Sequence, residues 1–166
     1  MARRMTGLVI DIGSGEGIYR DFMDTSSIVR LDIEMRFLDG DEGYCVLADA
    51  AYLPFINSIF EGVWACALIE HVAEETIPEF IRVSKPGGNI CVLTPNKYSP
   101  KDIIRKFFGR STWIDREGHV RLYTVCNLIK YGKVYGEIWG LPFLDPILKF
   151  FPWLGDTIML HFTVVK

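Results

Sequence analysis

Three glycines and three carboxylates are the residues of this sequence whose types and spacing could do chemistry. Residues 8–17 read Leu-Val-Ile-Asp-Ile-Gly-Ser-Gly-Glu-Gly, an apolar run that enters a loop with Gly13, Gly15 and Gly17 at alternating positions. Glycine accepts positive φ and has no side chain, so such a loop lets a ligand come against the backbone. The spacing excludes one ligand class. A dinucleotide fingerprint is G-x-G-x-x-G, and Ile18 stands where its third glycine would be. Asp11, at the end of the first apolar run, would repel a pyrophosphate but can accept hydrogen bonds from a ligand ammonium. Asp32 follows 21 residues later at the end of a second run, where a doubly wound sheet presents an acid to ribose hydroxyls. Asp49 ends a third run. An acid for an amine, one for a ribose and one near a base describe an amino-acid nucleoside without phosphates.

Those acids must be set side by side by the elements that precede them. Nearly continuous apolar runs at 8–12, 28–31, 45–48, 63–67 and 89–94 predict strands covered on both faces, and hence a parallel sheet. Residues 18–23 and 74–84 predict helices, the second because Ile77, Phe80, Ile81 and Ser84 recur at three- and four-residue spacing. Alternating strand and helix make an α/β chain. Lys85-Pro86-Gly87-Gly88 predicts a helix stop followed by a turn. The connections from the second to the fourth strand are short, which reduces their helices to a turn or two. The last third predicts helices at 100–108 and 124–131 and strands at 134–139 and 157–165. An apolar, irregular or partly helical segment at 141–154 lies between those strands.

Several segments, taken in order, resemble the class I S-adenosylmethionine-dependent methyltransferases. Val9-Ile10-Asp11-Ile12-Gly13-Ser14-Gly15-Glu16-Gly17 is similar to the first motif of that family, and Leu31-Asp32-Ile33 to its ribose-binding acid. Asp49-Ala50-Ala51-Tyr52-Leu53-Pro54-Phe55 is similar to its D-x-x-x-L-P-F segment. Phe60-Glu61-Gly62-Val63, Leu68-Ile69-Glu70-His71-Val72 and Arg82-Val83-Ser84-Lys85-Pro86-Gly87-Gly88 resemble its fourth strand, the following turn and its R-x-x-K-P-G-G turn. The matches cover residues 8–96, and Gly118-His119-Val120-Arg121-Leu122-Tyr123-Thr124 echoes a later segment. The resemblance implies one domain over residues 1–166, a Rossmann-like doubly wound sheet of seven strands in the order 3-2-1-4-5-7-6 with the last strand antiparallel, and methyl transfer from S-adenosylmethionine. It also implies cofactor contacts from Asp11, Gly13, Ser14, Gly15, Gly17, Asp32, Ile33, Asp49, Ala50 and Cys66. Two departures stand out. Glu61 replaces the usual Asp, and few residues precede the first strand where the family commonly has a helix that helps cover the substrate. That cover is expected from elsewhere, or is incomplete.

His71 and His119 are the candidates for a general base, with packed histidines as the competing reading, and His161 reads as structural. The four cysteines, Cys45, Cys66, Cys91 and Cys126, lie far apart with no C-x-x-C pair, which predicts buried thiols rather than disulfides or zinc. No metal cluster is legible in the sequence. The net charge of -3 hides a polarity. Lys97, Lys101, Arg105, Lys106, Arg110, Arg116 and Arg121 face only Asp102, Asp115 and Glu117 within residues 97–121. Ile103, Ile104, Phe107 and Phe108 make the expected 100–108 helix basic and amphipathic, so that residues 97–110 would rest on an anionic surface or cover an acceptor, with a solvated helix packed on its own sheet as the plainer alternative.

The longest stretches without Asp, Glu, Lys or Arg are 11 residues, at 50–60 and 86–96, against the ~20 that cross a bilayer. The start lacks a signal-peptide pattern, which predicts a cytoplasmic chain. The acceptor that fits these features is a small molecule or a lipid-like compound. The alternative is a non-catalytic or partner-dependent cofactor-binding subunit. A nucleic-acid acceptor is disfavoured, because Ala67-Leu68-Ile69-Glu70 stands where a base methyltransferase carries N/D-P-P-Y. The aromatic 141–154 segment and Trp139 could line a hydrophobic pocket, form a homodimer patch or cap the sheet edge.

Overall fold

The computed structural model describes residues 5–20, 23–25, 27–39, 43–72, 76–111, 119–137 and 145–165. Seven strands form a single sheet: β1 (Val9–Ile12), β2 (Ile28–Asp32), β3 (Tyr44–Leu47), β4 (Phe60–Cys66), β5 (Ser84–Pro95), β6 (Lys133–Glu137) and β7 (Thr157–Thr163). Their order is β3-β2-β1-β4-β5-β7-β6, with β1 to β5 parallel and β7 antiparallel to both its neighbours. The order reverses between β1 and β4, so a crevice opens at the carboxyl ends of these two strands, beyond Ile12 and Cys66.

Strand register divides the side chains between two faces. One face carries Ile10, Ile12, Leu31, Val63, Ala65, Ile90 and Val92, packed with Phe80 and Val83 of α1 (Ile77–Val83) and Leu128 of α3 (Val125–Leu128). The other face sets Asp11, Arg30, Trp64 and Cys91 level across four strands. It packs Val9, Ile28, Trp64, Cys91, Leu93 and Met159 against Met5 and Met23. The apolar runs were continuous because both faces of these strands are covered. The polar exceptions, Asp11 and Arg30, mark the face that carries a site.

The motif residues that follow β3 and those within α1 are tied together by one guanidinium. Arg82 donates to both carboxylate oxygens of Glu79, at 2.6 and 2.8 Å, and to the carbonyls of Leu53 and Phe55 and the Asn57 side chain. Glu79 in turn accepts from the Leu53 N–H at 2.9 Å. The L-P-F stretch is thereby pinned to α1. Glu61 does comparable work one strand away, accepting from the Leu8 N–H at 2.8 Å and pairing with Lys85. Those contacts lower its pKa, the Lys85 hydrogen bond most.

Several expectations are corrected. Residues 18–19 form a turn and Arg20 enters a 3-10 turn, with i to i−3 bonds from Arg20 to Gly17 and from Met23 to Arg20, while 21–22 lie outside the described residues. Lys85-Pro86-Gly87-Gly88 joins the start of β5, because Gly87 N–H donates to Val164 and Gly88 accepts from it. The 124–131 helix shortens to Val125–Leu128, capped reciprocally by Thr124 and Asn127. Of the four cysteines, Cys91 alone is buried; Cys45 and Cys66 are half-buried and Cys126 is exposed. Cys45 lies on the edge strand β3, which has a single neighbour. The strand expected at 134–139 is described over Lys133–Glu137, and residues 138–144, with Trp139 and Phe143, lie outside the described residues.

Arg82→Ala leaves the Leu53 and Phe55 carbonyls and the Glu79 carboxylate without their donor. Urea unfolding is expected to register a loss of about 2–3 kcal/mol, with Arg82→Lys recovering only part because a point charge cannot reproduce the fork.

Candidate functional site

The glycine loop is held from below by a buried arginine. Arg30, in the middle of β2 and 6% exposed, donates to Ser14 Oγ, to the Gly15 carbonyl and to the Phe37 carbonyl. A Cβ at Gly17, where φ is +71°, would come within 2.9 Å of that guanidinium. Gly15, by contrast, has nothing within 4 Å of where its Cβ would be, so the loop presents open space on that side. Asp32 braces the same loop, accepting from Gly15 N–H at 2.9 Å and from Glu34 N–H at 3.0 Å. Each Asp32 oxygen keeps a further lone pair for a hydroxyl.

Asp11 is 2% exposed, and its Oδ2 has no hydrogen-bond partner among the described residues. Burial pushes its carboxyl up from 3.8 to about 7, which Arg30 opposes and Asp32 reinforces. The result is a buried acid that is only partly ionised at neutral pH, so that an arriving cation favours its charged form. An ammonium supplies both the missing donor and the charge, so this observation fits the amino-acid end of the expected cofactor.

The other expected contacts gather at the same sheet edge. Ser14 and Ala50 are buried and Ile33 is exposed. Asp49 is exposed and folds back on its own turn, accepting from Ala51 N–H at 2.8 Å. Cys66, at the end of β4, donates its thiol to Tyr19 Oη at 3.1 Å. Next to it Ala67 sits at φ +51°, a left-handed conformation costly for a residue with a Cβ, fixed by its N–H bond to Leu93.

Cys66 and Ala67 open onto a cavity of about 580 Å³, lined also by Tyr19, Leu93, Thr94 and Pro95. Its far wall is α2 (Pro100–Phe107). That helix is fixed at its start by Ser99, which caps Asp102 N–H and donates to Asp156 at 2.8 Å, and by the Lys101–Asp156 pair at 3.3 Å. Lys101, Asp102 and Arg105 line the cavity, whereas Ile103, Ile104, Phe107 and Phe108 are exposed, Phe107 by 86%. The polar side of α2 faces the protein and the apolar side faces out. Of the basic segment, Arg116 and its opposing Asp115 and Glu117 lie outside the described residues. The 145–154 aromatics do not line this cavity. Leu148 and Pro152 are buried beside β6, while Phe150 and Trp153 are exposed.

His71 and His119 lie together, with ring centroids 4.9 Å apart, although neither lines the cavity. Between them and the cavity stands Glu70, fully buried, whose Oε2 accepts from Thr94 Oγ1 at 2.9 Å. Burial raises its pKa. Sequence spacing could not reveal this grouping, because His119 is brought to Glu70 across the chain, where Val120 and Arg121 N–H bond to the Glu70 carbonyl. Arg30 was also missed, although a charged residue inside the run Ile28-Val29-Arg30-Leu31 was its signal.

A family model described as a methyltransferase domain matches residues 10–92, half of the chain. No curated protein matches the sequence. Among solved structures, a SAM-dependent methyltransferase from Thermotoga maritima superposes with a TM-score of 0.68 at 14% identity, covering 97% of this chain and 83% of that one. One from Archaeoglobus fulgidus gives 0.67 at 17%, covering 98% and 88%. A Haloferax volcanii methyltransferase in complex with the Trm112 methyltransferase activator gives 0.66 at 16%, covering 98% and 86%. At these identities the likeness is one of fold.

The Asp11 carboxyl sets a pH dependence. The folded chain keeps this proton at pH values where the unfolded chain, with its carboxyl near 3.8, has released it. Its contribution to stability is therefore full below that value and is lost as pH rises through about 7. Between about pH 4 and pH 8, urea unfolding of the wild type should lose up to ~4 kcal/mol relative to Asp11→Asn. Parallel pH profiles for the two proteins would contradict the assignment.

Proposed function

The chain belongs to the methyltransferase domain family, and we propose that it transfers a methyl group from S-adenosylmethionine to a small-molecule or lipid-like acceptor. The observation that carries this reading is Asp11, a buried acid near the end of β1 whose Oδ2 has no hydrogen-bond partner among the described residues, beside an open glycine loop and a cavity that begins at Cys66. When bound, the cofactor supplies a methyl group already activated by a positive sulfur. The protein's share is then orientation and exclusion of water.

In this reading Asp11 takes the ammonium and gives up its proton in doing so. Gly13, Ser14, Gly15 and Gly17 present backbone to the amino-acid end, with the loop kept in shape by Arg30 from below. The remaining lone pairs of Asp32 accept the ribose hydroxyls, and Ile33, Asp49 and Ala50 border the base. Cys66 sits where the cofactor end meets the acceptor cavity. The cavity has the volume of a drug-sized ligand's pocket. Its apolar residues Tyr19, Leu93 and Pro95 suit an acceptor with a hydrocarbon part. The outward apolar face of α2, flanked by Lys106 and Arg110, suits peripheral contact with an anionic surface from which such an acceptor would come. No general base is assigned.

The same exposed face supports a second reading, in which a protein partner covers α2 and completes the acceptor site. The Haloferax relative, solved with its activator, is an instance of a partnered methyltransferase of this fold. Turnover by the isolated monomer on a labelled-donor metabolite screen favours the first reading; turnover only with a co-purifying protein favours the second.

Calorimetry tests the cofactor site directly. Wild-type protein is expected to bind S-adenosylmethionine, and Asp32→Ala to bind at least about 30-fold more weakly, the equivalent of ~2 kcal/mol of charged hydrogen bonding. Unchanged affinity in a folded Asp32→Ala protein would remove the ribose assignment. Affinity in the wild type should also fall about tenfold for each pH unit below the Asp11 value of about 7. A flat profile from neutral pH to pH 5 would instead remove Asp11 from the ammonium site.

A further inference from the structure

Glu70, His71 and His119 each offer one ligand atom, and these atoms all lie within 4.8 Å of one another. We propose that they form a binding site for a first-row divalent cation, with zinc the best match to two imidazoles and one carboxylate. The inference stands apart from the methyltransferase reading.

Three observations converge on it. The first is the buried carboxylate. Glu70 is 0% exposed, and Thr94 fixes its Oε2, but Oε1 accepts no hydrogen bond among the described residues. A buried carboxylate oxygen without a partner is costly, and a cation relieves that cost more completely than a neutral donor. The second is the scaffold. Val120 and Arg121 donate their N–H groups to the Glu70 carbonyl at 2.9 and 3.0 Å, so the two ligand-bearing segments are already joined before any ion arrives. The third is graded exposure. Glu70 is buried, His119 half-buried and His71 exposed, which gives the ion a fixed floor, an entry path and a side open to water. Two histidines and a carboxylate with a fourth position for water are a recurrent zinc donor set.

Metal–ligand bonds of about 2.0–2.2 Å require donor atoms to sit roughly 3.3 Å apart in a tetrahedron, so the group must close by up to about 1.5 Å. His71, the exposed member of the group, is the ligand whose side chain would move to close it. A bound ion would clip the turn after β4 to the segment that leads to Tyr123, and it would sit one residue removed from the cavity, behind Thr94.

The test uses untagged, chelator-treated full-length protein with zinc chloride and cobalt chloride as probes. Calorimetry should find one zinc per chain and a raised melting temperature. Cobalt should give visible d–d bands without the near-ultraviolet thiolate band. His119→Ala and His71→Ala should each weaken zinc binding at least about 100-fold while leaving the metal-free melting temperature unchanged. Glu70→Gln is the less useful variant, since a buried substitution can unfold the chain. Absence of zinc binding, binding that survives both histidine variants, or a thiolate band that places the ion on the cysteines would each overturn the proposal.

Discussion

A guanidinium buried in the middle of a strand holds the site of this protein together. Arg30 could have been a valine in a sheet covered on both faces; as an arginine it must find acceptors in the interior, and it finds them in Ser14, Gly15 and Phe37. That requirement fixes the path of the glycine loop and explains why residue 17 must lack a side chain. It also gives Asp11 a positive neighbour, without which the buried carboxyl would be pushed still higher. The two residues are cross-strand partners, so β1 and β2 pairing and the electrostatics of the site are one constraint.

Much of the fold was legible because burial on both faces leaves an uninterrupted apolar signature. The runs at 8–12, 28–31 and 89–94 all fall within strands or one residue from their ends, and the strand order implied by the family resemblance is the one observed. Lys85-Pro86-Gly87-Gly88 reads as a turn by residue type, yet Val164, some 76 residues later, supplies partners that make it strand. Thiol burial failed at Cys45, Cys66 and Cys126 for a related reason, since exposure depends on which strand lies at an edge, which strand end opens on a cavity and which helix face looks outward.

The site divides in the same way. Asp11, Asp32 and the glycines sit at strand ends, where sequence position determines location. The grouping of Glu70 and His71 with His119 depends on a long-range backbone pairing that no spacing rule encodes. The orientation of α2 is a third kind of case. Its amphipathic pattern was plain, but the usual assumption that the apolar side turns inward is reversed here, because Ser99 and Lys101 tie the polar side to Asp156.

The protonated state of Asp11 reaches beyond affinity. A group that ionises as it captures a cation exports a proton to the solution, so the heat of capture includes whatever the surrounding buffer releases or absorbs in taking that proton up. Enthalpies measured in phosphate and in an amine buffer should then differ by the difference in their ionisation enthalpies, scaled by the fraction of Asp11 still protonated at that pH.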